Sequence, residues 1–234
     1  MRRRFFVDEV RNGQAEISGD DAKHLTRVLR AEVGQRYEIS DNHQVYLAEI
    51  ETARKERVVF RTVEKLPVPT VRPRVVLCAA LIKFDRFEWM IEKATELGVT
   101  EIVPVEAVRS ERGLERAACN RLERWRRIAL EASQQSRRAF LPVLREPVSL
   151  PKALSLSALR RYALDEQPGV LPLARAIAGT GEAAILIGPE GGWTDEERGS
   201  FDAAGWTRVS LGPLILRAET AAIASLAIVT SLNS

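Results

Sequence analysis

The spacing of hydrophobic and polar positions changes near residue 70. Before that point, residues 36–40, 45–50 and 57–63 alternate apolar and polar side chains, as the strands of a half-exposed sheet do. Residues 20–30 have the spacing of one helix, which Gly34 closes. Residues 1–70 therefore predict a small, mostly β domain, and a barrel is the expected architecture.

The rest of the chain alternates strands with helices. Residues 66–74 contain three prolines, which neither a helix nor a central strand tolerates, so they predict a linker. Strand-like runs follow at 75–81, 101–105, 161–164, 183–187 and 207–211. Because strands that alternate with helices normally pair in parallel beneath helices on both faces, residues 71–234 predict an α/β domain.

Four helices are predicted in this second part. Apolar residues at helical spacing run from Phe87 to Leu97, and Gly98 ends that helix. Residues 114–138 predict a second helix, and Thr194-Asp-Glu-Glu is a capping box that begins a third, which Gly205 closes. The last helix begins near Glu219 and is apolar nearly all round. We expect it to be buried, and a second subunit is one candidate cover.

Charge is unevenly distributed, which bears on the partner. Residues 71–145 carry 15 basic side chains against 10 acidic ones, and residues 116–138 alone carry seven arginines. Arginine binds phosphate and stacks on bases, so this cluster favours a nucleic-acid partner. A plain solvated helix face is the alternative. The excess of Arg over Lys, 29 to 6, is explained equally well by codon usage.

Other function classes find little support. The N-terminal residues lack the apolar core of a secretory signal, and the longest apolar run, 221–229, is too short to span a bilayer. Cys78 and Cys119 have neither the spacing of a zinc site nor that of a disulfide framework. His24 and His43 lie far from other candidate groups, so no catalytic triad is indicated. We predict a cytoplasmic protein without metal or membrane partners.

Two loops near the C-terminus carry the candidate chemistry. Gly188-Pro-Glu-Gly-Gly follows a buried strand, and its glycines allow a ligand to approach the backbone. It lacks the P-loop and dinucleotide signatures, so Glu190 among glycines suits a ligand with a cationic or polyhydroxyl part. The alternative is a plain turn. The second loop, residues 211–220, places Leu-Ile-Leu directly after Gly-Pro, and we expect that run to be buried.

The end of the second loop is chemically unusual. Arg217 follows an apolar run, where a guanidinium needs an anionic or planar partner. Glu219 and Thr220 stand at a helix start, where an acid and a hydroxyl face the positive end of the helix dipole, and the alternative is that they are caps and nothing more. Because both loops follow strands, we expect them side by side at the carboxyl edge of one sheet, where open α/β sheets bind ligands.

Taken together, these motifs resemble a known family. The chain resembles the SPOUT class of methyltransferases with a C-terminal trefoil knot, and specifically the ribosomal RNA small subunit methyltransferase E family, which methylates N3 of a uridine in 16S rRNA. The residues that match are His24, 28–30, Gly34, Lys83, 92–99, Arg124, Trp125, 131–138, 187–192 and 211–220. One departure is Leu214, where the family usually has Arg, so any RNA contact of that Arg is absent or supplied elsewhere.

The resemblance implies a fold, a cofactor and partners. It implies an α/β fold with a SPOUT-type parallel sheet and a knot in residues 71–234, and a PUA-like RNA-binding barrel in residues 1–70. The cofactor is S-adenosylmethionine (SAM), the substrate is 16S rRNA or the small ribosomal subunit, and a homodimer completes the site. The expected cofactor-binding residues are Leu164, Ile187, Gly188, Pro189, Glu190, Gly191, Gly192, Leu211, Gly212, Leu216 and Arg217. The expected RNA-binding residues are His24, Arg27, Arg30, Arg126, Arg127, Arg137 and Arg138.

Methylation at uracil N3 also requires that a proton leave. We expect Arg217 to stabilise the negative charge that develops on the uracil oxygens. Glu190 or Glu219 is the candidate base, with solvent or the RNA itself as alternatives. A non-catalytic ribosome-assembly factor would keep the barrel and basic helix, but it should have lost the glycine loops. An α/β enzyme for another small nucleotide is a third hypothesis.

Overall fold

The computed structural model describes residues 4–68, 73–177, 179 and 181–232. It divides into two compact units, Met1–Thr70 with Ser133–Leu141, and Val71–Ala132 with Pro142–Ser234. Residues 69–72 of the predicted linker lie outside the described residues. The first unit is therefore assembled from two separate stretches of sequence.

The first unit is built on a five-stranded sheet. Its strands are β1 (Arg4–Phe6), β2 (Gln14–Ser18), β3 (Arg36–Ser40), β4 (Val45–Arg54) and β5 (Arg57–Leu66). The order is β1-β3-β4-β5-β2, with β1 parallel to β3 and every other pair antiparallel. The three strands predicted from alternation are present, and β4 and β5 run further than predicted. The short edge strands β1 and β2 were not predicted.

One helical segment packs on this sheet. Helix α1 (Gly19–Lys23) continues as a wider π-helical turn, His24–Val28, in which the Leu29 amide donates to the His24 carbonyl at 3.2 Å. Leu25 is fully buried in the core of the unit, so the turn is fixed by packing. Turns of this kind often occur at functional sites. Here it exposes His24 and Arg27.

The segment Ser133–Leu141 completes the first unit. Ser40 donates its hydroxyl to the Ala139 carbonyl at 2.6 Å, and this bond is buried. Arg137 pairs with Glu38 at 2.7 Å, and Arg4 pairs with the other oxygen of the same carboxylate at 2.7 Å. Glu38 is 9% exposed, so two cations compensate for its burial. The sequence did not predict this return of the chain.

The second unit contains a parallel sheet, as predicted. Its strands are β6 (Val75–Ala80), β7 (Glu101–Glu106), β8 (Val143–Leu144), β9 (Val148–Ser149), β10 (Arg160–Leu164), β11 (Ala183–Ile187) and β12 (Thr207–Val209). The order is β12-β10-β11-β6-β7-β8, and β9 also pairs with β7. All of these pairings are parallel. Every residue of β6 and β11 is buried, as expected of central strands covered on both faces.

Seven helices of the described chain accompany this sheet. They are α2 (Phe84–Glu96), α3 (Leu114–Cys119), α4 (Leu122–Gln135), α5 (Leu150–Leu154), α6 (Leu173–Ala176), α7 (Asp195–Ala203) and α8 (Ala218–Ser231). The prediction of one helix over 114–138 was wrong: α3 ends at Asn120, a residue that favours helix ends over helix interiors. The capping box of α7 is present, with Thr194 and Glu197 each accepting the other's backbone amide proton.

The helices cover both faces of the sheet with separate cores. On one face Phe87, Trp125 and Leu226 belong to a single apolar cluster with strand residues. On the other face Trp193 and Phe201 pack edge to face with ring centres 5.0 Å apart. Helix α8 packs against α2 and against the sheet strands β11 and β6, and only part of its surface is buried, so the prediction of burial holds for part of it. No helix in the described chain has the length and apolarity needed to cross a membrane.

Glu101, at the start of β7, should give the stability a specific pH dependence. It is 4% exposed. Burial opposes its ionisation, but hydrogen bonds from Arg74 and Arg145, both at 2.7 Å, outweigh that cost and hold its pKa below the ordinary 4.5. A carboxylate whose pKa is lowered by folding stabilises the native state at pH values above its ordinary pKa. This stabilisation is lost as the pH falls through the pKa of the native state.

We therefore expect Glu101→Gln to lower the free energy of unfolding by about 1–3 kcal/mol at neutral pH. The difference from wild type should shrink progressively below about pH 4.5. Urea unfolding between pH 7 and pH 3 measures it. Glu146→Gln, at an exposed position, is the control. A difference that stays constant with pH would show that the carboxylate charge is not responsible.

Candidate active site

A pocket lies at the carboxyl edge of the parallel sheet, where β10, β11 and β12 end. It encloses about 720 Å³ of space, part of it open to solvent. Strand β10 separates β11 from β12, so the two predicted loops do not follow neighbouring strands. The residues that line it are Leu164, Asp165, Glu166, Ile187, Gly188, Pro189, Glu190, Gly192, Trp193, Leu211–Leu216, Ala218 and Ala221. We call this the edge pocket.

The first loop is held rigid by hydrogen bonds at its backbone. The Gly192 amide donates to the Pro189 carbonyl at 2.9 Å, which closes a tight turn. The buried indole of Trp193 donates to the carbonyl of Leu164 at 2.9 Å, so the loop is tied to the end of β10. Arg109 donates to the Gly191 carbonyl at 2.9 Å from outside the pocket. The loop is therefore preorganised.

Two glycines in this loop occupy positions where a side chain is unfavourable. A Cβ on Gly188 would lie 3.0 Å from the Trp193 ring, which is fully buried and hydrogen-bonded. Gly192 has φ of +67°, and a Cβ there would lie 2.5 Å from a Glu166 carboxylate oxygen. The shape of the pocket wall thus depends on the missing side chains, a requirement that a plain surface turn does not have.

The second loop differs from the prediction. Leu214 is 78% exposed, Ile215 is 84% exposed and Leu216 is 37% exposed, so the expected burial of this apolar run was wrong. The physical reason is its position: β12 is the edge strand of the sheet, and the run beyond it forms the outer wall of the pocket. Three adjacent exposed apolar side chains favour a partner surface or a ligand that covers them.

A second pocket lies beside the edge pocket. Its lining residues are Asp85, Arg86, Trp89, Arg217, Glu219 and Thr220, and it encloses about 540 Å³ of space, part of it open to solvent. We call it the α2–α8 pocket, because these residues belong to the N-terminal parts of α2 and α8. Arg217 and Glu219, both predicted from sequence, meet here and not in the edge pocket.

Arg86 links the two candidate bases. Its Nη1 lies 3.5 Å from Glu190 Oε1, and its Nε lies 4.0 Å from Glu219 Oε1. Glu190 is largely exposed, whereas Glu219 is 8% exposed and its Oε2 has no hydrogen-bond partner in the described structure. Sequence reasoning missed Arg86. Its position in the first turn of α2, soon after Lys83, was the only available signal.

Most predicted cofactor residues converge on the edge pocket. Leu164, Ile187, Gly188, Pro189, Glu190, Gly192, Leu211, Gly212 and Leu216 all line it. Gly191 and Arg217 do not belong to that lining. The reasoning missed Asp165, which is fixed by Arg198 at 3.2 Å and Arg208 at 3.5 Å. Acidic residues directly after β10 were the available signal. In the described chain no group of His, Cys, Asp and Glu side chains is placed to hold a metal ion.

The predicted RNA-binding residues fall into three groups. His24, Arg27 and Arg30 are exposed on the first unit. Arg126 and Arg127 are exposed on α4 but pair with Glu123 and Glu131, respectively.

The remaining two residues belong to the return segment of the first unit. Arg137 pairs with Glu38, and Arg138 is 7% exposed and donates to the Phe140 carbonyl at 3.1 Å. A buried guanidinium with an internal acceptor favours a structural role for Arg138 over RNA contact.

Arg124, one of the residues that carry the resemblance, has a structural partner. Its guanidinium makes two hydrogen bonds of 2.8 Å to the carboxylate of Glu88 on α2, and Arg121 adds a third at 3.0 Å. The Arg124 hydrogen bond is the largest reason that the pKa of Glu88 lies below its ordinary value. These bonds join α4 to α2, the helix that carries Arg86 and Trp89.

Comparisons by sequence match this chain to RNA methyltransferases. Residues 70–230 match the family model described as an RNA methyltransferase domain, and residues 17–63 match an RNA methyltransferase PUA domain. Ribosomal RNA small subunit methyltransferase E of Mycobacterium bovis is 30% identical over 98% of this chain and 92% of its own length. The protein of the same name from Synechocystis is 34% identical over 89% of this chain and 70% of its own.

Solved structures with a similar fold are also methyltransferases. A ribosomal RNA small subunit methyltransferase E from Neisseria gonorrhoeae, bound to SAM, superposes with a TM-score of 0.87 at 26% identity, over 99% of this chain and 98% of its own. A methyltransferase from Legionella pneumophila in complex with SAM gives 0.88 at 29% identity, with the same coverage. Domain matches, relatives and structures agree over nearly the whole length, and the chain belongs to the ribosomal RNA small subunit methyltransferase E family.

Proposed function

We propose that this chain is a SAM-dependent methyltransferase that modifies N3 of a uridine in 16S rRNA of the small ribosomal subunit. The observation that carries the proposal is the edge pocket: the loops after β10, β11 and β12 converge on it, its glycine backbone is preorganised, and none of the three loops has a phosphate-binding motif. Structures similar over the whole chain were solved with SAM bound. An enzyme that modifies this RNA in a bacterium works in the cytoplasm.

The residues of the edge pocket fit SAM. Gly188–Gly192 and Leu211–Leu216 offer backbone amides and carbonyls for the adenine and ribose, and Ile187 supplies apolar contact. The absence of a Cβ on Gly188 lets the Trp193 ring pack against this loop, and both residues line the pocket. Glu190 provides negative charge for the positive part of the ligand. When bound, SAM supplies an activated methyl group together with its own leaving group, so the protein mainly positions the reactants and handles a proton.

Arg217 and a carboxylate handle that proton. Arg217 is exposed in the α2–α8 pocket, which leaves its guanidinium available to stabilise negative charge on the uracil oxygens. Glu190 and Glu219 are the candidate acceptors of the N3 proton. Arg86 lies between them, with its Nη1 3.5 Å from Glu190 Oε1 and its Nε 4.0 Å from Glu219 Oε1.

The finer architecture is part of the same proposal. Residues 1–70 form a PUA-like RNA-binding barrel, and residues 71–234 form a SPOUT domain whose C-terminal part is threaded as a trefoil knot. Two chains form a homodimer that completes the site. The exposed side chains of Leu214 and Ile215 support the dimer, because a second subunit would remove this apolar surface from water.

The test has two steps. Isothermal titration with SAM should give one tight site per chain, whereas an assembly factor without catalysis, or an enzyme for another nucleotide, should give none. Small subunits from a strain that lacks the gene should then gain one methyl mass on a 16S rRNA uridine when protein and SAM are added. SAM binding without that mass gain would contradict the proposed substrate.

RNA binding should depend on salt through the exposed arginines of the first unit. Replacing Arg27 and Arg30 with glutamine should make the plot of log association constant for RNA against log salt concentration less steep by about two units of slope. Each lost phosphate contact removes about one unit. Arg126→Gln with Arg127→Gln should change it less, because these side chains already have carboxylate partners. Filter binding between 50 and 200 mM salt, a range of about fourfold, measures the slope.

The matched control is Arg57→Gln, an exposed arginine of β5 that pairs with Glu16 at 2.8 Å. It should leave the salt slope at the wild-type value. A wild-type slope in the Arg27/Arg30 double variant would place the RNA on another surface.

A further inference from the structure

We infer that the α2–α8 pocket is the site of the target base: a uracil turned out of the RNA stacks on Trp89, and its N3–H points at Glu219. This inference rests on the proposed function and assigns the substrate half of the same active site. Four observations carry it, one for each feature that a uracil presents: a flat face, an N–H donor, two carbonyl oxygens and a reacting atom near the methyl donor.

Trp89 supplies a surface for the flat face. It is 45% exposed although tryptophan is normally mostly buried, and it stands on α2, where it lines a pocket that encloses about 540 Å³, part of it open to solvent. Bases turned out of RNA stack on aromatic side chains of this kind. Nothing in the described structure covers the exposed part of the ring.

Glu219 supplies an acceptor for the N–H donor. Glu219 Oε2 is buried and lacks any hydrogen-bond partner in the described structure, although Oε1 lies 4.0 Å from Arg86 Nε. A buried carboxylate oxygen without a donor is costly, so the site is incomplete as it stands. Uracil N3–H would satisfy this oxygen. Cytosine presents a lone pair at N3 and would be repelled, so the same carboxylate selects uracil over cytosine.

Arg217 and Arg86 supply donors for the two carbonyl oxygens. Both line the α2–α8 pocket together with Glu219. Two guanidinium donors and one carboxylate acceptor match in number the two carbonyl oxygens and the one N3–H group of uracil. The pockets also distinguish the two candidate bases: Glu190 lines the edge pocket and Glu219 lines the α2–α8 pocket, so Glu219 is the group that we assign to N3.

The reacting atom would lie beside the cofactor. Successive residues at the start of α8 alternate between the pockets: Leu216, Ala218 and Ala221 line the edge pocket, whereas Arg217, Glu219 and Thr220 line the α2–α8 pocket. One backbone segment therefore forms a wall that the two pockets share.

In the methyl transfer, the N3 proton passes to the Glu219 carboxylate and the electron pair of the N–H bond forms the N3–methyl bond. The pair of the breaking S–CH₃ bond leaves with sulfur, and Glu219 then releases its proton to solvent.

Trp89→Ala and Trp89→Phe test the stacking. With unmethylated small subunits as substrate and radiolabelled SAM, Trp89→Ala should raise KM for the subunit by about tenfold, and Trp89→Phe should restore most of it. The Kd for SAM should stay at the wild-type value in both. Leu159→Ala, an exposed apolar residue outside both pockets, is the control and should change neither quantity.

Glu219→Gln tests the proton acceptor. It keeps the shape of the side chain but should lower kcat by about 10²–10⁴-fold at neutral pH without changing the Kd for SAM. The remaining rate should rise steeply with pH, because the uracil N3–H must then ionise into solvent. A variant that is only structurally damaged would not gain this pH dependence.

Other outcomes would overturn the inference. Unchanged KM in Trp89→Ala together with loss of dimer in sedimentation would show that this face is a subunit interface. Wild-type kcat and pH profile in Glu219→Gln would remove Glu219 as the base. If wild-type protein binds SAM and methylates uridine but these variants behave normally, only this inference fails. If wild-type protein does neither, the proposed function fails with it.

Discussion

Arg217→Ala should lower kcat for methyl transfer by about 10²–10³-fold at saturating SAM, because a preorganised cation is lost where negative charge develops on the uracil. The Kd for SAM should stay within about threefold of wild type, a difference below 1 kcal/mol, since Arg217 lines the α2–α8 pocket and not the edge pocket. Single-turnover assays on unmethylated small subunits and isothermal titration measure the two quantities. Arg217→Lys should recover only part of the rate, because an ammonium lacks the planar fork.

Arg175→Ala is the matched control, since Arg175 is exposed on α6 outside both pockets. It should leave both quantities unchanged. The sequence also named Arg217 as a cofactor-binding residue, and the two roles give opposite results. A weaker Kd for SAM with normal turnover at saturation would show that Arg217 binds the cofactor and does not act on the uracil.

Gly188→Ala should weaken SAM binding by about tenfold or more and lower the free energy of unfolding by about 1–3 kcal/mol. The new Cβ would lie 3.0 Å from the Trp193 ring, which is fully buried and hydrogen-bonded to Leu164, so the loop must move instead of the ring. A moved loop displaces the backbone groups that face the cofactor. Isothermal titration and urea unfolding measure both effects, and RNA affinity should be retained.

Gly199→Ala provides the comparison for Gly188→Ala. Gly199 lies within α7, and a Cβ there would meet no atom within 4 Å. Alanine in a helix is favoured over glycine by about 1 kcal/mol, so this variant should bind SAM normally and be slightly more stable. SAM binding by Gly188→Ala at the wild-type Kd would mean that the glycine wall is not part of the cofactor site.

The sequence predicted the elements whose signals are local. The strand Ala183–Ile187 and the capping box at Thr194 both depend on neighbouring residues, and the structure has them at the predicted positions. Strands of two or three residues, such as Val143–Leu144, carry too few positions for a period to be seen. The break at Asn120 was missed because the apolar spacing continues across it.

The part of the candidate site that lies at the ends of strands could be predicted from the sequence. The glycine loops and Leu164 follow strands of one sheet, so their meeting at its carboxyl edge could be inferred. Arg86 and Trp89 lie on a helix more than 100 residues earlier, and no local pattern relates them to Glu219. The exposure of Ile215 depends on β12 being an edge strand, which is a property of sheet order and not of the run itself.

The segment Ser133–Leu141 has a consequence for synthesis of the protein. Glu38 is buried between Arg4 and Arg137, and the Ser40 hydroxyl is bonded to the Ala139 carbonyl. A nascent chain that ends at residue 70 has Arg4 but lacks the other two partners, so this part of the first unit stays unsatisfied until the ribosome has added about as many residues again. Folding from the N-terminus as translation proceeds is thus interrupted here. The first unit is therefore completed only after Ser133–Leu141 has been synthesised, and this segment lies between the two stretches of sequence that form the second unit.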